Sequence, residues 1–215
     1  MISSLTAESK IEDNFSSSAI EKARLFRARH GERILYQGQS IEYLYYMISG
    51  RAKLCEIMPN GRQTLLDFLK APCFIGEMEL LGLREDTLLV QALEECLLLA
   101  FPFSSCRDIL LNDPKFLRKM CFTIGQKERK KARALTQINA YPLVNRYAAF
   151  LLESASEGMC RDRQTDAAQY LGVTSRHLRQ ITSDFIQNGC LAREGRCLKI
   201  IAPDYLKMLA DELKD

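Results

Sequence analysis

An α+β chain is the fold class that this sequence predicts: an N-terminal β-roll, one long helix, and a C-terminal winged helix-turn-helix. Three observations carry that expectation. Short runs of β-formers, broken by turn signals, fill residues 25 to 101. Asp113-Pro114 opens a helical stretch that continues to about Ala140. Gln164 to Asn188 then reads as helix, tight turn, helix.

The roll comes first. His30-Gly31, Gln37-Gly38, Ser49-Gly50 and Asn60-Gly61 punctuate it. Tyr43 to Ile48 reads as a buried strand, followed by Ala52 to Ile57, Thr64 to Leu69, Leu88 to Ala92 and Cys96 to Phe101. Asn60-Gly61 predicts a two-residue hairpin turn with both residues at positive φ. Strands at this spacing suggest a sandwich or jelly roll of roughly eight strands. Between two of them, within Cys73 to Gly82, Gly76 opens a short helical turn whose N–H groups could face an anion. Upstream, Met1 to Glu21 is serine-rich, and Ser16-Ser17-Ser18 is expected to cap a short helix.

The long helix has Asn112 or Asp113 as its cap and Pro114 in its first turn, and Pro142 ends or kinks it. Leu117, Met120, Cys121, Ile124, Leu135 and Ile138 form a seam close to a heptad repeat. Such a seam can pack on its own β-domain; the length of the helix favours two copies crossing as a dimer. The run Gln126 to Arg133 is too charged for a dry coiled coil. It reads as a solvated segment or as part of a site for an acidic ligand. The expected divisions are 1–112 for the roll, 113–140 for the dimerisation helix and 141–215 for the winged domain.

In that last domain Leu143 to Glu153 is the first helix, with Val144, Tyr147, Ala148 and Leu151 facing inward. Ala167, Ala168 and Leu171 line the next helix, Gly172 makes the turn, and Thr174 caps the helix that follows. There Leu178, Ile181 and Phe185 share one face, while Arg176, Arg179, Gln180 and Ser183 share the other. Arginine can bond two acceptors of guanine, and glutamine can pair with adenine. A surface helical hairpin would share the glycine turn. Leu191 to Ile201, centred on Glu194-Gly195, adds a short β-hairpin and makes a winged motif that reads DNA. Ser175 and His177 lie on the same reading helix. Gln164 and Thr165, with Arg193 and Arg196 of the wing, would hold phosphates.

Charge agrees with this division. The net charge of +3 splits into −3 for residues 1 to 112 and +6 for residues 113 to 215. The basic half suits a phosphate backbone. No apolar run approaches a membrane span and no signal pattern opens the chain, so a cytoplasmic protein is expected. Eight cysteines occur without CxxC spacing, and only two histidines accompany them, so metal and iron–sulfur sites are not expected. No Ser-His-Asp, metal or P-loop constellation appears, and His30 and His177 fall in a turn and on the reading helix. Enzyme activity is therefore not expected. Cys73 lies beside the Gly76-Glu77 turn, and Cys96 and Cys121 are candidates to come near it, so a redox signal is one input to consider.

A β-roll holding Ala71-Pro-Cys-Phe-Ile-Gly-Glu, then a long helix, then Tyr141-Pro-Leu-Val-Asn-Arg and a winged helix-turn-helix, resembles the cyclic-AMP receptor protein/FNR superfamily, and within it the YeiL-type branch. The resemblance covers residues 25 to 202. It implies a cyclic-nucleotide-binding-like jelly roll and an effector pocket at Gly76 and Glu77. The family's phosphate-binding Arg-Ser pair aligns with Asp86 and Thr87, and its adenine-contacting pair falls near Lys131 and Ala132. An aspartate there would repel a phosphate, so cyclic AMP is not the expected ligand. The N-terminal cysteine cluster of FNR-type members has no counterpart before Cys55. The reading helix carries Arg176, Arg179 and Gln180 where FNR-like members present Glu-x-x-Ser-Arg, which implies a different target sequence. The expected function is a dimeric, sequence-specific transcription regulator controlled by an effector or redox signal in the roll. Its partners would be double-stranded DNA with an inverted repeat, a second copy, and RNA polymerase, with no membrane and no known cofactor. A sensor acting mainly through protein partners is the alternative.

Overall fold

The computed structural model describes residues 11–84 and 86–213. These form two compact units that divide between Lys127 and Glu128. The polar start of the chain lies outside the described residues.

In the first unit, eight strands make two antiparallel four-stranded sheets. The strands are β1 (Arg24–Ala28), β2 (Arg33–Leu35), β3 (Tyr43–Ser49), β4 (Arg51–Ile57), β5 (Gln63–Lys70), β6 (Cys73–Ile75), β7 (Leu89–Ala92) and β8 (Cys96–Pro102). One sheet runs β1-β8-β3-β6 and the other β2-β7-β4-β5. Period-2 alternation sorts the first sheet's side chains between two cores. Tyr45, Met47, Ile75, Leu98 and Ala100 meet Ala52, Leu69 and Val90 of the second sheet. Leu44, Tyr46, Phe74, Leu99 and Phe101 point the other way, into a core closed by helices. A sheet buried on both faces explains why Tyr43 to Ile48 reads as an unbroken apolar run.

Those helices are α1 (Ser17–Ile20), α3 (Phe103–Leu111) and the start of α4 (Pro114–Ala140), while α2 (Glu77–Leu80) follows β6. Phe15 is their keystone. Its ring stacks on Phe101 at 4.3 Å and on Phe116 at 5.7 Å, and meets Tyr46 and Phe74 edge-on. Asp113 caps α4 as expected, its Oδ1 accepting from the N–H of Lys115 at 2.9 Å and of Phe116 at 3.4 Å.

Four expectations need correction here. Ser16 takes the N-cap position of α1 but makes no side-chain capping bond; its hydroxyl lies 3.2 Å from that of Ser18. Asn60-Gly61 is not a two-residue turn, because β4 and β5 pair from Ile57 with Gln63. Met58 and Arg62 bond across Pro59-Asn60-Gly61, and of these only Gly61 has positive φ, at 76°. Proline supplies one turn position and the glycine the left-handed one, which is the three-residue hairpin solution. Met120 is a core residue rather than a seam residue, buried beside Phe116, and Leu117 and Ile124 pack partly against the same core. The fourth correction is smaller: Val144 is half-buried, and Asn145 takes the inward position beside it.

The second unit holds the rest of α4, α5 (Leu143–Ser154), β9 (Met159–Cys160), α6 (Gln164–Tyr170), α7 (Ser175–Gln187), β10 (Leu191–Glu194), β11 (Cys197–Ile200) and α8 (Pro203–Asp211). Its core gathers Tyr147, Ala148 and Leu151 of α5 with Ala167, Ala168, Leu178, Phe185 and Leu206. Buried Asn145 donates from Nδ2 to the Leu209 carbonyl at 3.0 Å and to Glu212 at 2.6 Å, which fixes α8 against α5. Arg146 donates to the Leu171 carbonyl at 2.8 Å and satisfies the C-terminal end of α6. No described helix is long and apolar enough to cross a membrane.

Removing the keystone should be costly. Phe15→Ala should lower the unfolding free energy of the first unit by about 3–5 kcal/mol, read from its urea midpoint by circular dichroism. A loss below about 1 kcal/mol would mean that the aromatic cluster closes without it.

Candidate functional site

The second helix of the helix-turn-helix, α7, is built from its back outward. Thr174 accepts from the His177 N–H at 3.2 Å and starts α7 cleanly. Gly172 has φ 69°, which the turn between α6 and α7 needs and a glycine adopts cheaply. Behind α7, Tyr147 Oη lies 3.0 Å from Thr182 Oγ1, which itself donates to the Leu178 carbonyl at 2.8 Å. Burial pushes the Tyr147 hydroxyl up to about 12, against the pull of its Thr182 bond. It therefore stays a neutral hydrogen-bonding group.

With Leu178, Thr182 and Phe185 buried, the opposite face is left to solvent. Arg176, His177, Arg179, Gln180 and Ser183 are all exposed, and Ser175 is half-buried at the helix start. Two of these side chains are tied along the helix. Arg179 Nε donates to the Ser175 carbonyl at 3.1 Å, and Gln180 Nε2 donates to Asp184 at 3.0 Å. The wing strands β10 and β11 pair through Glu194 and Cys197, which leaves Gly195-Arg196 as the hairpin loop, with Gly195 at φ 60°. Arg193 and Arg196 are exposed there, and Lys199 pairs with Glu194 at 2.8 Å. Thr165 is exposed near the start of α6. Gln164 is different: its Nε2 points inward to Thr182 at 3.1 Å, so this amide braces the core rather than standing free for a phosphate.

The roll contains a cavity of about 80 Å³ beside the Gly76 turn. Gly76, Glu77, Glu79, Arg84 and Lys127 supply its polar wall, and Leu54, Leu69, Phe74 and Val90 part of its apolar wall. Glu77 is buried, and its carboxylate meets Lys127 Nζ at 2.5 Å. Lys127 also reaches the Phe74 carbonyl at 3.5 Å. Burial raises the Glu79 carboxyl above its ordinary range, with Glu77 adding to the rise and Arg84 and Lys127 opposing it.

The other expected pocket residues lie elsewhere. Asp86 is exposed. Thr87 is buried, but its hydroxyl bonds the Tyr36 carbonyl and the Gln39 carbonyl, the latter at 3.0 Å, beside a separate depression that also includes Tyr43 and Tyr45. Lys127 is the long-helix side chain in the cavity wall; Lys131 is exposed and pairs with Glu128 at 3.1 Å. Sequence reasoning missed Arg84 and Asp184, and covered Lys127 only as part of the charged run Gln126 to Arg133. Lys127 opens the charged run of the long helix, and the i,i+4 spacing of Gln180 and Asp184 was open to view.

The cysteines divide sharply. Cys96 is close enough to Cys73 to raise its cost of ionisation, whereas Cys121 is exposed on α4. Burial pushes the Cys73 thiol up to about 12, with Lys127 opposing and Glu77 adding. Burial also takes the Cys96 thiol to about 11. A thiol so reluctant to ionise is a poor nucleophile and a poor sensor. The redox expectation for Cys73 and Cys96 therefore has no support in their surroundings. Among the described residues, no group of three or more His, Cys, Asp or Glu side chains is arranged to hold a metal.

Comparison with known proteins fits this geometry. Residues 25–113 match the family model for the cyclic nucleotide-binding domain. Regulatory protein YeiL of Escherichia coli O157:H7 is 41% identical over 207 residues, covering 96% of this chain and 94% of its own length. Transcriptional activator protein FnrL of Cereibacter sphaeroides is 21% identical over 215 residues, covering 93% of this chain and 85% of its own. The crystal structure of a CRP/FNR-family transcriptional regulator from Thermus thermophilus superposes with a TM-score of 0.74 at 21% identity, across 87% of this chain and 98% of that one. A cyclic nucleotide-binding-type roll in the first unit, a winged helix-turn-helix in the second, and near-complete alignment with YeiL make one case: this chain belongs to the CRP/FNR family of transcription regulators.

Proposed function

We propose that this regulator binds an inverted-repeat DNA site as a homodimer, reads bases with α7, and does so without a cyclic nucleotide in its roll. The observation that carries the reading is α7 itself, whose buried apolar back leaves arginine, glutamine and serine on an exposed front. Two copies would meet along the part of α4 that its own core leaves open. Leu135 is 66% exposed and Ile138 40%, and Cys121 lies on the same helix, with Leu117 and Ile124 only half covered. A dimer sets two reading helices about one DNA turn apart, roughly 34 Å. RNA polymerase is the machinery such a regulator would act on.

Base and phosphate contacts should separate by mutation. Arg176→Ala should cost on the order of 1–3 kcal/mol and relax preference at one position of each half-site. Arg196→Ala should weaken all sequences alike and flatten the salt dependence. Binding-site selection with both variants tests the assignment; unchanged base preference in Arg176→Ala would sink it.

The cavity argues against a nucleotide effector. Its volume of about 80 Å³ is well below the roughly 300–1,000 Å³ of ordinary ligand sites, and Lys127 already occupies the Glu77 carboxylate. Titration calorimetry with cyclic AMP or cyclic GMP should show no binding at micromolar concentration. Saturable heat in that range would overturn the proposal.

Thiol chemistry should follow exposure. In the native protein, iodoacetamide at pH 8 should leave Cys73 and Cys96 unmodified, because thiols near 12 and 11 leave few thiolates at that pH. Peptide mass spectrometry finding Cys73 alkylated as fast in the native as in the urea-unfolded protein would restore the redox reading.

A further inference from the structure

We propose that Asp184 is a specificity-determining residue of the reading helix, acting through Gln180. The inference rests on α7 being the base-reading helix and goes one step beyond it. Gln180 and Asp184 are both exposed and sit one turn apart, and Gln180 Nε2 donates to Asp184 Oδ1 at 3.0 Å. Glutamine–aspartate pairs at this spacing are mutually supporting on a helix surface.

A glutamine amide has a donor end and an acceptor end, and in water it turns freely between them. A carboxylate only accepts, so it takes the NH2 end and sets the direction of the amide. With one N–H committed, Gln180 has one oxygen acceptor and one N–H donor left to offer. That pair suits adenine, which presents an N6–H donor and an N7 acceptor in the major groove. Guanine presents two acceptors, N7 and O6. An amide free of Asp184 could give both N–H groups to them; an amide held by Asp184 has only one to give, and its oxygen then faces an acceptor. Asp184 thus turns a residue tolerant of either purine into one that prefers adenine.

The same carboxylate places a negative charge on a face that approaches phosphates, which weakens binding to every sequence. A group that lowers general affinity while sharpening one base position works by disfavouring the wrong partner. Its neighbour Arg179 is held back in a similar way, by the Ser175 carbonyl. No equivalent tie is needed for an arginine, which offers donors alone and has no end to choose.

The test is binding-site selection with the full-length protein and its Asp184→Ala, Asp184→Asn, Gln180→Ala and doubly substituted forms. In Asp184→Ala, discrimination of adenine over guanine should fall roughly 3- to 10-fold at one position of each half-site, the scale of coupling through one hydrogen bond. Affinity for unselected DNA should rise in the same variant. Asp184→Asn, whose amide oxygen still accepts, should keep most of the discrimination. Gln180→Ala should lose it at the same position, and the double substitution should add nothing further. Unchanged discrimination in Asp184→Ala would overturn the proposal. So would a loss at a position that Gln180→Ala leaves intact, since Asp184 would then be reading its own base. A wild-type protein that selects no sequence would instead remove the DNA-reading proposal underneath, and this one with it.

Discussion

The first unit depends on one sheet being buried on both faces. Every second residue of β3 and β8 packs on the opposite sheet, and the residues between them pack on helices. The roll is consequently three layers rather than two, and the third layer includes the first two turns of α4 through Phe116 and Met120. The long helix is therefore an extension of the roll's own core before it is anything else. A shift of Phe74 or Phe101 cannot be absorbed locally, because well-packed interiors transmit strain. The Glu77–Lys127 pair lies at the far end of that contact, where the Gly76 turn and α4 meet through charge instead of packing.

That pair bears on what a regulator of this kind senses. A buried carboxylate needs a partner, and in this chain the partner is covalently part of the protein. The roll has the outline of a ligand-binding fold while its polar anchor is satisfied internally. Any molecule entering the cavity would have to break the ion pair or bridge it, so the ligand must compensate a charge separation as well as fit the space.

Much of this was legible in the sequence. The helix-turn-helix was readable because its rules are local: small residues at Ala167 and Ala168, a left-handed glycine at 172, a threonine cap, and a 3.6-residue period. The strands were readable from alternation and turn residues. What was not readable depended on tertiary partners. Phe15 is one aromatic in a serine-rich stretch, and nothing beside it announces four ring contacts. β9 is two residues long and exists only because β11 offers an open edge. Along α4 the same period serves an internal core and a solvent-exposed stretch, so Met120 and Leu135 look alike in sequence and differ in burial. Of the expected pocket residues, Gly76 and Glu77 line the cavity, and Asp86, Thr87 and Lys131 lie outside its lining for another reason. Alignment across the loop before β7 leads to Asp86 and Thr87, which are not part of the cavity lining, whereas Arg84 is. On the helix the polar group in the cavity wall is Lys127, one turn before Lys131.

The short strand β9 has a consequence of its own. Because it pairs with β11 through Leu198 and Lys199, the inner strand of the wing is held along both edges, by β10 on one side and β9 on the other. An isolated two-stranded hairpin is marginal in water, but one clasped by a third strand is ordered in advance. The strand that follows the Arg196 loop is thus fixed in the folded protein before any contact is made. The contact proposed between Arg196 and phosphates would then call for less further ordering, which favours tight engagement.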